Sequence, residues 1–313
     1  MKIIHDFGGE CRDGVNTYLD LEEFGDDSQE VVLFYGINST LNRELQEQYK
    51  HYKRRILLDL WSPCDLYAQN DILEQDHFKA QEYFTDVFCI CPFTVEWSNK
   101  ITNTDKWKCV FYPWQPSIVP VNFEKKYDVC FVGGIHSQEH FDALQVIKKF
   151  NYRFISQSPF AEPTDINISN KEKLDLIAQC KIVVCFNLLY LKEDHWHFAM
   201  NNYNLAGNMA FNHPRAIGTV NPTYTAPQFK SRSHEAASGK SLILCKKDEW
   251  DLINYYYDED SFVFFDQVDD LESTISNILE NYQNYQSKID LAYQRVYNFT
   301  TKNLIYYIEG FTK

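Results

Sequence analysis

One short stretch, Phe229 to Asp251, reads FKSRSHEAASGKSLILCKKDEWD and holds a carboxylate, cations and a glycine in close order. Glu235 stands one helical turn before Gly239, with Lys230 and Arg232 ahead of it and Ser233 between. An ionised carboxylate accepts hydrogen bonds from a diol, an arginine forks onto phosphate oxygens, and a lysine supplies a point charge. Together they suit a ligand that carries both a diol and phosphates, as a nucleotide sugar does. Gly239 can take the left-handed conformation that ends a helix, and Ala236 and Ala237 let that helix lie close to a neighbouring backbone. The same residues also fit a plain solvated helix ending before an apolar strand, which any α/β protein contains.

The order Glu235-Ala236-Ala237-Ser238-Gly239-Lys240, then Ser241-Leu242-Ile243-Leu244, resembles the donor-site segment E-A-x-x-x-G-x-P-V of GT-B glycosyltransferases of the group 1 type. Arg232 three residues ahead of the glutamate, and LCKKDEW after the strand, are most similar to the CgeB-like branch. The resemblance covers roughly the C-terminal half of the chain and rests on the order of its elements. It implies an α/β fold of two Rossmann-like domains whose parallel sheets face a central cleft. The donor, a UDP- or GDP-linked sugar, is then held on the second domain and the acceptor on the first. It also implies that Glu235 binds the nucleotide ribose, and that neither a catalytic metal nor a further cofactor is needed. The final helix is implied to cross back onto the first domain. One departure stands out: many retaining members carry a second glutamate eight positions earlier, where this chain has Pro227.

Other candidates lie outside that stretch. Gly133-Gly134 sits between an apolar run and a helical pattern, where backbone amides can approach an anion at a helix N-terminus, or where a plain tight turn is made. It is not a dinucleotide fingerprint, because no third glycine follows. His136 comes just after it and can donate to a phosphate or to the donor sugar. The arginine and lysine usual in the family after this strand are absent from GGIHSQEH, so neutralisation falls to Lys230, Arg232 and Arg215. Asp248, Glu249 and Asp251 read as first-turn caps of a following helix. His195 and His197, with Glu193 and Asp194, match no standard metal spacing.

The elements that must position these groups alternate strand and helix. Strands are expected at Met1 to Asp6, Gln29 to Tyr35, Arg55 to Leu60, Asp86 to Cys91 (stopped by Pro92) and Lys108 to Tyr112. Helices are expected from Val15 to Glu22, Leu41 to Arg54, Asp76 to Phe84 and Thr94 to Lys100. Such alternation argues a parallel sheet covered on both faces. Pro113, Pro116 and Pro120 then suit a stiff connection. A second strand, glycine loop and helix starts at Tyr127, followed by strands at Tyr152 to Ser156 and Lys181 to Phe186 around a helix at Lys171 to Gln179. An irregular stretch from Asn187 to Gln228 follows, and beyond Asp248 come a helix at Glu249 to Tyr257, a strand at Ser261 to Phe265, two helices from Val268 to Val296 and one from Phe299 to Phe311. The expected division is an acceptor domain over 1–116, a donor domain over 117–296 and a returning helix over 297–313.

Composition sets outer bounds. The 313 residues suit two domains of ordinary size. A net charge of −14 argues against a nucleic-acid partner, which needs a cationic face. No apolar run is long enough for a signal-peptide core or a bilayer span, so a cytoplasmic location is expected. The nine cysteines are odd in number and several lie in strand-like runs, which reads as small buried hydrophobes in a reducing compartment.

The function expected is transfer of a sugar from a nucleotide-diphosphate donor to a hydroxyl acceptor. The alternatives are a nucleotide-sugar epimerase or hydrolase, or a non-catalytic nucleotide- or glycan-binding protein. A general base for an inverting transfer must lie at a strand end of the first domain or in the loop after it. The candidates are Asp13, then Glu10, then Asp6, with Asp59 at the end of RILLDL less favoured because it can lie within the strand.

Overall fold

In the computed structural model the described residues are 1–5, 25–26, 30, 31–35, 42–60, 81–114, 120, 122–135, 137–191, 208–209 and 223–310. The first sheet holds β1 (Lys2–His5), β2 (Val31–Tyr35), β3 (Arg54–Asp59), β4 (Asp86–Cys89) and β5 (Trp107–Cys109), all parallel and in that spatial order. Among the described residues, two α-helices accompany it. Helix α1 (Arg43–Tyr49) starts where the Asn42 side chain accepts from the amides of Glu44 and Leu45. Helix α2 (Pro92–Thr102) starts at Pro92 itself.

The second sheet runs β14-β13-β9-β6-β7-β8, again parallel throughout. In chain order these are β6 (Tyr127–Val132), β7 (Tyr152–Ser156), β8 (Asp165–Ile166), β9 (Cys180–Cys185), β13 (Leu242–Lys246) and β14 (Val263–Phe265). Between them lie α3 (Gln138–Ile147) and α4 (Asn170–Ala178); α5 (Arg232–Ser238), α6 (Val268–Glu280), α7 (Gln286–Val296) and α8 (Thr301–Gly310) complete the α-helices among the described residues. Helix α4 opens with a capping box, Ser169 and Glu172 each holding the other's backbone amide.

Alternation along the strands gives each sheet two packed faces. In the second, Val129, Phe131, Ile182, Val184 and Leu244 meet α3 and α6 through Leu144, Ile147, Leu271 and Ile275. The opposite face, Cys130, Val183, Cys185 and Ile243, lies under Leu174 and Ile177 of α4, Ala236 and Ala237 of α5, and Ala292 of α7. In the first sheet, Leu33, Tyr35, Ile56, Leu58 and Phe88 are covered by Leu304, Ile305 and Ile308 of the last helix, α8. Two chain crossings therefore join the halves. They run side by side, with Trp114 donating its amide to Phe299 O at 2.9 Å, its indole to Val296 O, and bridging to Thr300.

Several elements differ from the sequence reading. The strand expected to run to Cys91 ends at Cys89, and the helix expected from Thr94 already starts at Pro92, because proline suits the first helical turn, where its missing N–H has no partner to lose. The helix expected over 41–54 is confined to Arg43–Tyr49, since Arg54 already pairs in β3. Of the helix expected from Asp76 to Phe84 only a single 3-10 turn, Gln81–Tyr83, falls within the described residues; 76–80 lie outside them, as does the helix expected over 15–22. The irregular stretch from Asn187 to Gln228 contains a small antiparallel sheet, β10 (Leu188–Leu191) and β11 (Asn208–Met209) flanking β12 (Thr223–Pro227). The helix expected at 249–257 is instead one 3-10 turn, Leu252–Tyr255, because Asp251 takes a left-handed backbone at φ 47 and breaks the run. Of the cysteines in the described residues, seven are free and all but Cys109 are buried.

Candidate functional site

Helices in a parallel sheet begin at the carboxyl ends of its strands, so the first turns of α4 and α5 share one end of the second sheet with the turn after β6. Three segments far apart in sequence meet there. Gly133 has φ +121 and donates its own amide to Ile155 O at 2.9 Å, so that amide extends the sheet. What Gly133 contributes is room: a Cβ there would stand 3.1 Å from Nη2 of Arg232. The Arg232 Nε donates to Val132 O at 3.3 Å, which lays the guanidinium across the glycine turn.

One helical turn on, Glu235 is 4% exposed. Its Oε1 accepts from Lys173 Nζ at 2.8 Å and from Ser231 Oγ at 3.2 Å, while Oε2 is buried without a hydrogen-bond partner among the described residues. Burial pushes this carboxyl towards its neutral form, but the charges of Lys173 and Arg232 and the bonds from Lys173 and Ser231 outweigh it and hold the carboxyl below its ordinary value. Glu235 is therefore an anion in a nearly closed site. Lys173 was not singled out in the sequence. Its one signal there is the capping box, which puts it in the first turn of α4 and hence at this end of the sheet.

Lys230 precedes α5. Its amide donates to Oδ1 of Asn187 at 2.9 Å, and its ammonium meets the Gln228 side chain. Asn187, just past the end of β9, is fully buried and also receives Gln228 N on its carbonyl at 3.1 Å. Ser233 is fully enclosed, against the Cys185 thiol. Lys246 ends β13 and makes a loose 3.7 Å pair with Glu139 in the first turn of α3. Asp6, Glu10, Asp13, His136 and Arg215 lie outside the described residues, as do Glu193, Asp194, His195 and His197. Asp59 closes β3 and is buried. Asp248 accepts from the amides of Trp250 and Leu252 at 2.9 and 3.2 Å, and so caps the 3-10 turn, with its carboxyl raised by burial.

Gly239 corrects one expectation. It sits at φ −81, and the left-handed residue is Lys240 at φ +49. The glycine serves close approach, since a Cβ would come within 3.2 Å of the Ala178 backbone. That contact ties the C-terminal ends of α4 and α5. Lys125 fastens them further by donating to Ala178 O, Gly239 O and Ser241 Oγ at 2.8, 3.0 and 3.2 Å.

The other side of α5 faces the chain crossings. His234 is bonded at Nδ1 to Tyr257 OH (2.7 Å) and at Nε2 to Tyr112 O (2.9 Å), and its ring stacks on Phe299 at 4.9 Å. Burial pushes its pKa down to about 3. Tyr256 adds a bond from its hydroxyl to Ile90 O at 2.6 Å, across to the first half.

Solved structures share this fold. One of Anabaena HepE in complex with UDP and glucose matches 100% of this chain and 99% of its own at TM-score 0.60 and 9% identity. A sucrose-phosphate synthase from Thermosynechococcus elongatus matches 94% of this chain and 74% of its own, with TM-score 0.56 and 8% identity. TarM matches at TM-score 0.55 and 10% identity, and this chain spans 57% of its length. The chain has the GT-B fold. A scan against protein families finds no match, and a search of curated proteins finds none. Among the described residues, no group of three His, Cys, Asp or Glu side chains is placed to hold a metal, and no helix is long and apolar enough to cross a membrane.

Proposed function

We propose that this chain is a glycosyltransferase that moves a sugar from a UDP- or GDP-linked donor to a hydroxyl acceptor without a metal or further cofactor. The observation that carries the reading is the meeting of Arg232 with the Gly133 turn, one helical turn from the buried anion Glu235. A cation over a glycine turn suits a diphosphate, and a carboxylate oxygen lacking a donor suits a ribose diol. Fold neighbours of matching length support it, since HepE structures hold UDP-glucose and UDP with glucose. In this reading residues 117–296 bind the donor through Glu235, Arg232, Lys230, Ser233, Gly133 and Gly134, with His136 and Arg215. Residues 1–116 bind the acceptor, residues 297–313 return to that side, and the base is Asp13, then Glu10, then Asp6. The motif assigns the chain to the CgeB-like branch, acting in the cytoplasm on a glycan or glycoconjugate and without nucleic-acid partners.

A second reading, a nucleotide- or glycan-binding protein without turnover, is favoured by Pro227. It stands where the second glutamate would be, and its carbonyl accepts the Cys91 thiol at 3.4 Å. Release of nucleoside diphosphate from a panel of UDP- and GDP-sugars, with and without acceptors, separates the two. Acceptor-dependent release supports the transferase, binding without release selects the module, and acceptor-independent release marks a hydrolase.

A further inference from the structure

Three features of the Glu235 pocket need a common explanation. The carboxylate is enclosed, a lysine from a separate helix holds only one of its oxygens, and the other oxygen lacks a donor although it is buried. A buried ion pair is a poor source of stability, because desolvating two charges offsets most of their attraction. Leaving an acceptor unpaired adds a further cost. Stability alone therefore does not account for the arrangement.

The far ends of the same two helices are locked independently. Lys125, the Gly239 contact with Ala178, and Ser241 Oγ donating to Ile177 O and Cys180 O already fix α4 against α5. The Lys173 link adds little to that lock. It stands instead at the crevice end, one turn from the arginine over the glycine turn.

We infer that Lys173 is a positioning residue of the donor site: with Ser231 it fixes Oε1 of Glu235 and leaves Oε2 as the acceptor for a ligand hydroxyl. This rests on the donor-site reading above and gives a specific task to a residue outside the motif. Among the described residues, the groups around the carboxylate are Lys173 from α4, Ser231, Arg232 and the neutral imidazole of His234 from the start of α5, and the thiols of Cys130 on β6 and Cys185 on β9. Only Lys173 and Arg232 among them are cations. Without the Lys173 charge, burial favours the neutral Glu235 carboxyl, and as pH falls the charged acceptor is replaced by a weaker neutral one.

The test uses whichever of UDP and GDP the wild-type chain binds, measured by calorimetry from about pH 8 to about pH 6. Lys173→Gln keeps an N–H donor but removes the charge. Its affinity should approach wild type at the upper end and fall about tenfold or more towards the lower end. Because the ligand's terminal phosphate itself takes up a proton near about pH 6, each affinity is compared with wild type at the same pH; on that scale Lys173→Arg should stay nearly flat, and in a Glu235→Gln background Lys173→Gln should add no further loss. A loss that is equal at every pH, together with a lowered unfolding temperature, would assign Lys173 a merely structural role and overturn the inference. So would Lys173→Gln matching wild type throughout while Glu235→Gln is weakened. If wild type binds neither nucleotide, the donor-site reading itself fails and the inference falls with it.

Discussion

His234 and Glu235 are neighbours in α5 and meet opposite fates. His234 faces the chain crossings, where both ring nitrogens are bonded and the ring is stacked, so the fold supplies every partner. Glu235 faces α4 and the glycine turn, where Lys173 and Ser231 share one carboxylate oxygen and none of the described residues bonds the other. Burial acts on both. It keeps the histidine neutral, and it would neutralise the glutamate were two cations not beside it. On the donor-site reading the difference separates architecture from site: the chain completes His234, which holds the fold, and leaves one oxygen of Glu235 for a ligand donor.

The largest effect expected tests the first half of that contrast. His234 titrates near 3 in the fold and near 6.5 once unfolded, so protons bind the unfolded chain first. Stability from this group is full above about pH 6.5 and declines as pH falls towards 3, by roughly 4 to 5 kcal/mol in all. His234→Phe keeps a ring against Phe299 and cannot titrate. Urea midpoints across this range should slope in wild type and flatten in the variant between about pH 6.5 and 5, above the carboxylate range. Equal slopes would show that the junction does not hold a neutral histidine.

The next effect tests the second half. Lys173→Met leaves a buried anion with half its compensation and should cost roughly 3 kcal/mol or more near neutral pH. Replacing the partner as well, in Lys173→Met with Glu235→Leu, should return most of that stability while abolishing nucleotide binding. If the double variant is no more stable than the single, Lys173 does more for the fold than neutralise Glu235.

Much of this was legible in the sequence, though not evenly. The parallel sheets follow from apolar runs alternating with helical patterns, and Tyr127 to Val132 and Tyr152 to Ser156 stand in the structure with the bounds their composition suggests. The stretch on α5 is legible because a carboxylate, cations and a glycine, Lys230 to Gly239, stand within ten residues, a local pattern. Lys173 could not be found that way. KEKLDL is an ordinary polar helix, and only a contact 62 residues away makes its lysine special. Gly239 was legible as needed but not for its reason: its backbone is unremarkable, and the demand comes from Ala178 on another helix. The β10 to β12 sheet was missed because its strands are short and joined by long connections, so nothing local fixes their register.

The smallest effect concerns the far end of the helix pair, where a lysine is partly buried and fully served. Lys125→Met keeps the aliphatic stem and removes the donor to Ala178 O, Gly239 O and Ser241 Oγ. The expected loss is about 1 to 3 kcal/mol in urea unfolding, because carbonyls at two helix ends lose a charged donor. No second substitution should restore it, since two of its partners are backbone carbonyls, and this distinguishes it from Lys173. Burial also pulls the Lys125 ammonium down to about 8, below its unfolded value of 10.5. The folded chain therefore releases this proton before the unfolded one does, and the gap in stability between wild type and variant should widen as pH rises from about 8 towards 10.5. Nucleoside diphosphate affinity, measured where both proteins are fully folded, should be unchanged. If it falls with Lys125, the two ends of α4 and α5 are coupled, and Glu235 is positioned by the whole helix pair instead of by Lys173 alone.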